Sequence, residues 1–356
     1  MGRIIGRVRP FRSKSSGATE KRSQGVELRN VKISAFGCYV PPGVLTNQDL
    51  EKMVDTTDQW ILERTGIHER HIAAPEVATS DMAVEAAKLA LAQRGIEASD
   101  LDAIIVCTVT PDHLFPSTAC LVQDRLGAKN VWGFDLISAC CSFLYGMTTA
   151  ASLVGSGMHN RVMVIGADTM SRIIDYTDRA TCVLFGDGAG AFILEPAAEG
   201  EIGFVGHKHM IDGSGAAVLR MPAGGSRMPP SHETVDKRLH FVKQEGQAVF
   251  KFAVKHMGEI SAQLLAEHGL TTKDVSVMIP HQANLRIITA CADRLKMPLD
   301  RVMVDIQKYG NTTSGTLPLA TRDAVEQGML KKGDYVLFAA VGAGFTVGAS
   351  LWRWEI

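Results

Sequence analysis

The chain has 356 residues, of which 46% are hydrophobic and 21% charged, and its formal net charge is -1. These fractions are typical of a globular protein, and no apolar run approaches the roughly 20 residues that cross a bilayer. A charge near zero gives no overall field that attracts nucleic acid or an anionic membrane. We therefore expect neither of these partners, and a charged partner would have to bind at a local patch.

The first residues, 1–27, are predicted to be a basic and disordered N-terminal extension. Up to Gly25 they carry seven arginines and lysines against one acid, Glu20. Such a composition does not build a core. An organelle-targeting peptide and a start codon assigned too early are the alternatives, whereas the apolar segment of a secretory signal is missing.

Seven cysteines, an odd number, are spread through the chain without C-x-x-C spacing. Most lie in apolar runs, which indicates reduced thiols and a cytoplasmic location. The nearest approach to a metal-binding pattern is His207 with His209. This pair has no neighbouring cysteine or carboxylate pair, and we expect its rings on opposite faces of a strand, so zinc is not expected.

An internal repeat dominates the rest of the sequence. Its first part is ALAQRGIEASDLDAIIVCTVTP in the earlier copy and LLAEHGLTTKDVSVMIPHQANL in the later one, each a helical pattern, a glycine (Gly95 or Gly269) and an apolar strand. Next, STACLVQDRLGAKNVWGFDL and ITACADRLKMPLDRVMVDI each predict a helix and a strand. Each half then continues with a turn, a helix (143–155 and 316–328) and a buried strand, RVMVIGAD or YVLFAAVG.

Apolar strands that alternate with helices predict parallel sheets covered on both faces. Two such halves predict an α/β fold with α/β/α/β/α layers, an internal duplication divided into residues 28–200 and 201–356. Two unrelated doubly wound domains are the alternative, which the ordered match of several consecutive elements disfavours.

Three chemically useful side chains follow strand ends, where functional groups of α/β sheets gather. Cys140 comes after the strand that ends at Asp135 and opens a helix, a position that favours thiolate. Asn311 follows the matching strand of the second half, and His281 follows strand 275–279 in the polar run PHQAN. Alone, Cys140 could be a structural cysteine and the other two could be helix caps. Together they predict nucleophilic catalysis.

Three motifs, DLISACCSF, PHQANLRII and YGNTT, resemble the Cys, His and Asn motifs of the β-ketoacyl-acyl carrier protein synthase III family, condensing enzymes of the thiolase superfamily. Further similarity lies in DQWILERTGIHERHIA, FPSTA, TDRATCVLFGDGAGA, MPAGGSRMP and GAGFTVG, in matching order from about Val31 to the C-terminus. The resemblance implies a thiolase-like acyltransferase that starts fatty-acid synthesis by decarboxylative condensation of an acyl-CoA with malonyl-acyl carrier protein. It implies no metal and no organic cofactor.

The resemblance also implies roles for matching residues. Cys140 would carry the acyl group, with its own N–H and that of Gly344 as the oxyanion hole. His281 and Asn311 would donate hydrogen bonds to the enolate that decarboxylation leaves. The CoA contacts would be Trp60, Arg64, Arg179, Gly246, Gln247 and Ala283, the acyl pocket would include Phe115, Phe185 and Val341, and the carrier protein would dock on Lys251 and Arg286.

Phe115 matches a residue that reaches into a partner subunit, which implies a homodimer. Ordinary interpretations exist here too: Phe115 could be buried at a helix start, Trp60 could anchor a helix, and the basic residues could form a solvated helix face.

Two departures from the family pattern bear on the site. Cys141 doubles the nucleophile, and Val341 replaces a common phenylalanine, which leaves the acyl primer open. A related enzyme of secondary metabolism with another acceptor is therefore an alternative. A catalytically inactive partner subunit would usually lack the cysteine, and the order and spacing do not fit a papain-like hydrolase.

Overall fold

The computed structural model describes residues 28–356, so the predicted extension, residues 1–27, lies outside the described residues. The strands are β1 (Val31–Tyr39), β2 (Gly43–Thr46), β3 (Glu69–Ile72), β4 (Ala103–Cys107), β5 (Trp132–Leu136), β6 (Val162–Asp168), β7 (Gly188–Pro196), β8 (Phe204–Ile211), β9 (Leu219–Arg220), β10 (Lys243–Gln244), β11 (Val277–Pro280), β12 (Tyr335–Gly342) and β13 (Thr346–Arg353). The helices are α1 (Asn47–Glu51), α2 (Asp58–Thr65), α3 (Thr79–Arg94), α4 (Thr118–Leu126), α5 (Ser142–Gly155), α6 (Arg179–Cys182), α7 (His232–Asp236), α8 (Gly246–Glu267), α9 (Leu285–Leu295), α10 (Ile306–Tyr309) and α11 (Thr316–Glu326).

A five-stranded and a four-stranded sheet form the body, with strand orders β1-β7-β6-β4-β5 and β11-β12-β13-β8. β4 pairs in parallel with β5 and β6, and β11 pairs in parallel with β12. The other pairs of both sheets are antiparallel, so the prediction of parallel sheets is wrong for them. Continuous apolar content indicates burial of both faces and carries no information on strand direction.

Helices cover both faces of both sheets. α5 and α11 lie between the sheets, because Phe143 and Leu317 share one buried cluster with Ile105 of the first sheet and Phe338 of the second. The neighbouring Ile104 points to the opposite face, where it packs with α3 and α4. α8 and α9 cover the outer face of the second sheet. The predicted α/β/α/β/α layering is confirmed.

The two halves follow the same order of elements. In the first half the order is α3, β4, α4, β5, a 3-10 turn (Ala139–Cys141) and α5. The corresponding elements of the second half are α8, β11, α9, a 3-10 turn (Thr313–Gly315) and α11, with no counterpart of β5 among the described residues. Both turns open on a residue in the left-handed region, with φ 48° at Ala139 and 50° at Thr313. This conformation is rare for residues with a side chain, so its recurrence supports the internal duplication. The predicted division at 200/201 falls between β7 and β8 and stays a prediction.

One element of the repeat is missing from the second sheet. The end of the segment ITACADRLKMPLDRVMVDI is predicted to be a strand, and this prediction is wrong. It forms a single bridge between Val302 and Met278, and the chain then turns into α10. Its apolar residues are buried because Val302 and Met303 pack beneath α9 and α11, which does not require strand pairing.

The histidine pair on β8 also differs from expectation. His207 and His209 lie on the same face, with ring centroids 4.8 Å apart, because residues two apart along a strand share a face. Across residues 28–356, no three side chains of the metal-binding types come together as a candidate metal site. No helix within the same range has the length and apolar character needed to span a membrane.

Candidate active site

A cavity of about 620 Å³ lies between the two halves. The predicted residues in its wall are Trp60, Arg64, Cys140, Phe185, Gly246, Gln247, Lys251, His281, Ala283, Arg286, Asn311 and Val341. Side chains that are distant in the sequence therefore surround one space. The wall also contains the thiol, the imidazole and the amide that the strand-end argument selected.

Three predicted residues lie outside this wall. The guanidinium of Arg179 stacks on Trp60, 4.9 Å from the centre of its ring, and donates a 2.9 Å hydrogen bond to the carbonyl of Asp55. Gly344 lies in the turn between β12 and β13, two residues after Gly342 of the wall. Phe115 is 85% exposed, so the ordinary interpretation, a phenylalanine buried at a helix start, is wrong for the single chain.

Cys140 lies in the turn that leads into α5, where the sequence predicts it, and is 8% exposed. Burial, followed by the proximity of Cys141 and Asp168, raises the pKa of the Cys140 thiol well above its ordinary value. Burial therefore opposes the thiolate that the start of a helix favours. For Cys140 to act as a nucleophile, another group would have to accept the thiol proton.

The backbone nitrogen of Cys140 lies close to Gly342. A Cβ atom on Gly342 would lie 2.9 Å from the Cys140 nitrogen, so a larger residue there would crowd this N–H group. Within residues 28–356, the N–H groups of Cys140 and Gly344 bind no backbone carbonyl. Both groups are therefore candidates for the oxyanion hole that the resemblance implies.

His281 follows β11 and is only 1% exposed. Its backbone N–H group donates to the carbonyl of Ala339 at 2.7 Å, which holds the backbone of His281 beside β12. Its Nδ1 atom has no hydrogen-bond partner in the structure, and burial lowers the pKa of His281 to about 3. The neutral imidazole can accept one proton or donate one hydrogen bond, the two tasks of a catalytic histidine.

Asn311 is held on both its backbone and its side chain. Its N–H group donates to the Leu184 carbonyl at 2.9 Å, and its Oδ1 accepts the Thr313 N–H at 2.9 Å. The amide thus caps the turn before α11, as its ordinary interpretation requires. This same bond directs the Nδ2 donor away from the turn and leaves it without a protein acceptor in the part of the chain that the structure describes.

Several wall residues were not predicted from the sequence. Phe250 lies 5.3 Å from the guanidinium of Arg286, and Asn284 caps α9 through the Arg286 N–H. The Asn284 side chain also donates to the carbonyl of Arg64 at 2.9 Å. The polar run PHQAN contained the signal for Asn284, whereas Phe250 looks like any apolar residue of an amphipathic helix.

Asp305, whose backbone N–H binds the side chain of Gln282, has a buried carboxyl group. Burial, followed by the proximity of Asp323, raises the pKa of Asp305 from 3.8 to about 8, and its Oδ2 has no hydrogen-bond partner within residues 28–356. Between these values the folded chain holds a proton that the unfolded chain has lost, so this group lowers stability as pH rises.

We expect Asp305→Asn to remove this pH dependence, because the amide is isosteric with the protonated acid. Urea unfolding at about pH 5 and about pH 8 would measure it, and the variant should gain stability relative to the parent at the higher pH. An equal stability difference at both pH values would contradict the prediction.

Comparison with known proteins decides the family. The family model of 3-oxoacyl-[acyl-carrier-protein (ACP)] synthase III matches residues 134–213, and that of its C-terminal part matches residues 265–354. The chain is 68% identical to the beta-ketoacyl-[acyl-carrier-protein] synthase III of Solibacter usitatus, over 92% of this chain and 99% of that protein. The chain belongs to the β-ketoacyl-acyl carrier protein synthase III family. It is therefore an acyltransferase of the condensing-enzyme class.

Solved structures of synthase III relatives have the same fold. The enzyme from Aquifex aeolicus is 42% identical, with a TM-score of 0.84 over 91% of this chain and 100% of that one. The priming β-ketosynthase from the R1128 polyketide biosynthetic pathway is 32% identical, with a TM-score of 0.86 over 94% and 99%. The thiolase-like fold expected from the sequence is confirmed.

Proposed function

We propose that this synthase III primes fatty-acid synthesis by transferring an acyl group from acyl-CoA to Cys140 and condensing it with malonyl-acyl carrier protein. The observation that carries the proposal is the single cavity whose wall contains a buried thiol, an imidazole and an amide donor. The thiol supplies a nucleophile for the first step, and the imidazole and the amide supply hydrogen-bond donors for the enolate oxygen of the second.

In the first step the Cys140 thiol passes its proton to His281 as its sulfur attacks the thioester carbonyl, because neither buried group is ionised beforehand. The N–H groups of Cys140 and Gly344 stabilise the oxyanion, and CoA leaves as its thiol after protonation. In the second step malonyl thioester loses carbon dioxide, and the enolate oxygen accepts hydrogen bonds from His281 and Asn311. The enolate carbon attacks the acyl-cysteine, and the Cys140 thiolate leaves and regains a proton.

The CoA site would lie along the wall of the cavity that contains Trp60 and Arg64. The stacked pair of Trp60 and Arg179 offers planar surfaces suited to an adenine ring. The same wall contains two small residues, Gly246 and Ala283, and one neutral amide side chain, Gln247. Phe185 and Val341, both buried, would bound the acyl chain.

The acyl carrier protein would dock on Lys251 and Arg286, since carrier proteins are acidic. We expect Lys251→Glu and Arg286→Glu each to raise the KM for malonyl-acyl carrier protein about 10-fold, with little change in acyl loading from acyl-CoA. Steady-state kinetics and labelled acyl transfer would measure the two effects. Lys331→Glu, an exposed lysine outside the cavity wall, is the control. Equal loss of acyl loading would assign both residues to CoA binding instead.

A homodimer and a cytoplasmic location complete the proposal. Phe115 and Leu114 are 85% and 86% exposed, and the edge strand β5 is followed by Ile137 at 70%. These apolar groups would be covered by a second copy, whose acyl pocket would receive Phe115. All seven cysteines are free, which fits a reducing compartment.

The test of function is to incubate the chain with a mixture of acyl-CoAs and to identify the acyl mass on the peptide that contains Cys140. Malonyl-acyl carrier protein should then yield a β-ketoacyl-acyl carrier protein and carbon dioxide. The likeness to the R1128 priming ketosynthase favours one second candidate, priming in secondary metabolism. Faster turnover with malonyl-CoA, an alcohol or an amine would select an acceptor other than the carrier protein.

A further inference from the structure

Both ends of the segment that carries Asn311 bind one buried glutamine, Gln282. At the first end, Oε1 of Gln282 accepts the N–H of Asp305 at 3.1 Å. At the other end, the N–H of Gln282 donates to Oγ1 of Thr316 at 2.9 Å. Gln282 therefore joins the two ends of segment 305–316 through these two hydrogen bonds.

Gln282 also holds the turn that carries His281. Its Nε2 donates to the carbonyl of Pro280 at 2.8 Å and to that of Met303 at 3.1 Å. The side chain is 1% exposed, and its oxygen and nitrogen are both hydrogen-bonded. A shorter or apolar side chain at 282 would leave three buried backbone groups without this partner, a costly arrangement.

We propose that Gln282 and Thr316 are positioning residues that set the spacing between His281 and Asn311 for malonyl decarboxylation. The proposal rests on the function proposed for those two side chains. Neither Gln282 nor Thr316 lies in the cavity wall, so both act through the backbone segments that they join. A displacement of about 1 Å in such a site can cost on the order of 100-fold in rate, and a single hydrogen bond controls part of that displacement.

The helix α11 provides a matched pair of variants. Thr316 and Thr321 are both buried on this helix, and the Thr321 hydroxyl donates only to the carbonyl of Leu317 within it. Thr316→Val removes the acceptor for Gln282, Thr316→Ser retains it, and Thr321→Val removes an equal hydroxyl elsewhere. We expect Thr316→Val to lower kcat for malonyl decarboxylation about 10-fold, with KM and acyl loading of Cys140 unchanged.

Thr316→Ser should restore the rate, and Thr321→Val should keep it, while both valine variants have similar melting temperatures. In an Asn311→Ala background, Thr316→Val should have no further effect, because the pair that it positions is already broken. Equal rate losses for Thr316→Val and Thr321→Val, or no rescue by serine, would overturn the positioning role. If Asn311→Ala itself decarboxylates normally, the proposed function fails; if only Thr316→Val is silent, the positioning role alone fails.

Discussion

Cys140→Ser should abolish the acyl-enzyme, whereas Cys141→Ser should form it at a rate close to that of the parent. Of the two neighbouring thiols, only Cys140 lies in the cavity wall, and Cys141 is fully buried beside Thr346. A serine hydroxyl ionises even less readily than the buried thiol that it would replace. Loss of a nucleophile typically lowers turnover by three or more orders of magnitude, on the order of 1000-fold at the least.

Intact-protein mass spectrometry after addition of acyl-CoA measures this prediction directly. The acyl adduct should be missing from Cys140→Ser and present on Cys141→Ser. Far-ultraviolet circular dichroism would establish that both variants fold. Equal adduct formation by the two variants would contradict the assignment of the nucleophile.

Asn311→Ala should reduce malonyl decarboxylation by about 100-fold and leave acyl loading largely intact. The lost Nδ2 donor is one of two groups proposed to bind the enolate oxygen, and removal of one preorganised donor costs on the order of 3 kcal/mol. The loading step uses the Cys140 thiol and the backbone N–H groups, which the variant keeps. Carbon dioxide release and labelled acyl transfer would separate the steps.

His281→Ala should impair both steps, because the resting thiol is protonated and needs a base. The position of Cys140 at the start of a helix favours thiolate, and a preformed thiolate would be acylated without a base. Burial of Cys140 reverses that expectation. Comparison of Asn311→Ala with His281→Ala thus shows which residue takes part in one step and which takes part in both. Loading by His281→Ala at the parent rate would mean that another group accepts the Cys140 proton.

The sequence could select Cys140 and His281 because each follows a strand of the repeat, β5 and β11. Asn311 was selected by a strand that does not form, since it follows the helix α10. The resemblance supplied the proposed CoA and docking residues. How deeply the Cys140 side chain is buried could not be predicted from the sequence. The pKa of Cys140 depends on how deeply α5 packs between two sheets, a tertiary property.

The directions of the strands and the contacts that position the catalytic groups also could not be predicted from the sequence. β12 and β13 are antiparallel because a three-residue turn joins them, yet each reads as a buried apolar run. Gln282 lies between His281 and Ala283 in an obvious motif, but its partners are at positions 303, 305 and 316. Only the folded chain brings these together.

The matching turns before α5 and α11 differ in what binds one equivalent backbone N–H group. Ser314 holds the place in the second turn that Cys140 holds in the first, one residue after Thr313 and Ala139. The Ser314 N–H donates to the buried carboxylate of Asp168 at 2.9 Å, so it is occupied by the opposite half. The Cys140 N–H binds no backbone carbonyl in the described chain. The same backbone N–H of a duplicated turn thus connects the two halves in one copy and is left for the proposed oxyanion hole in the other.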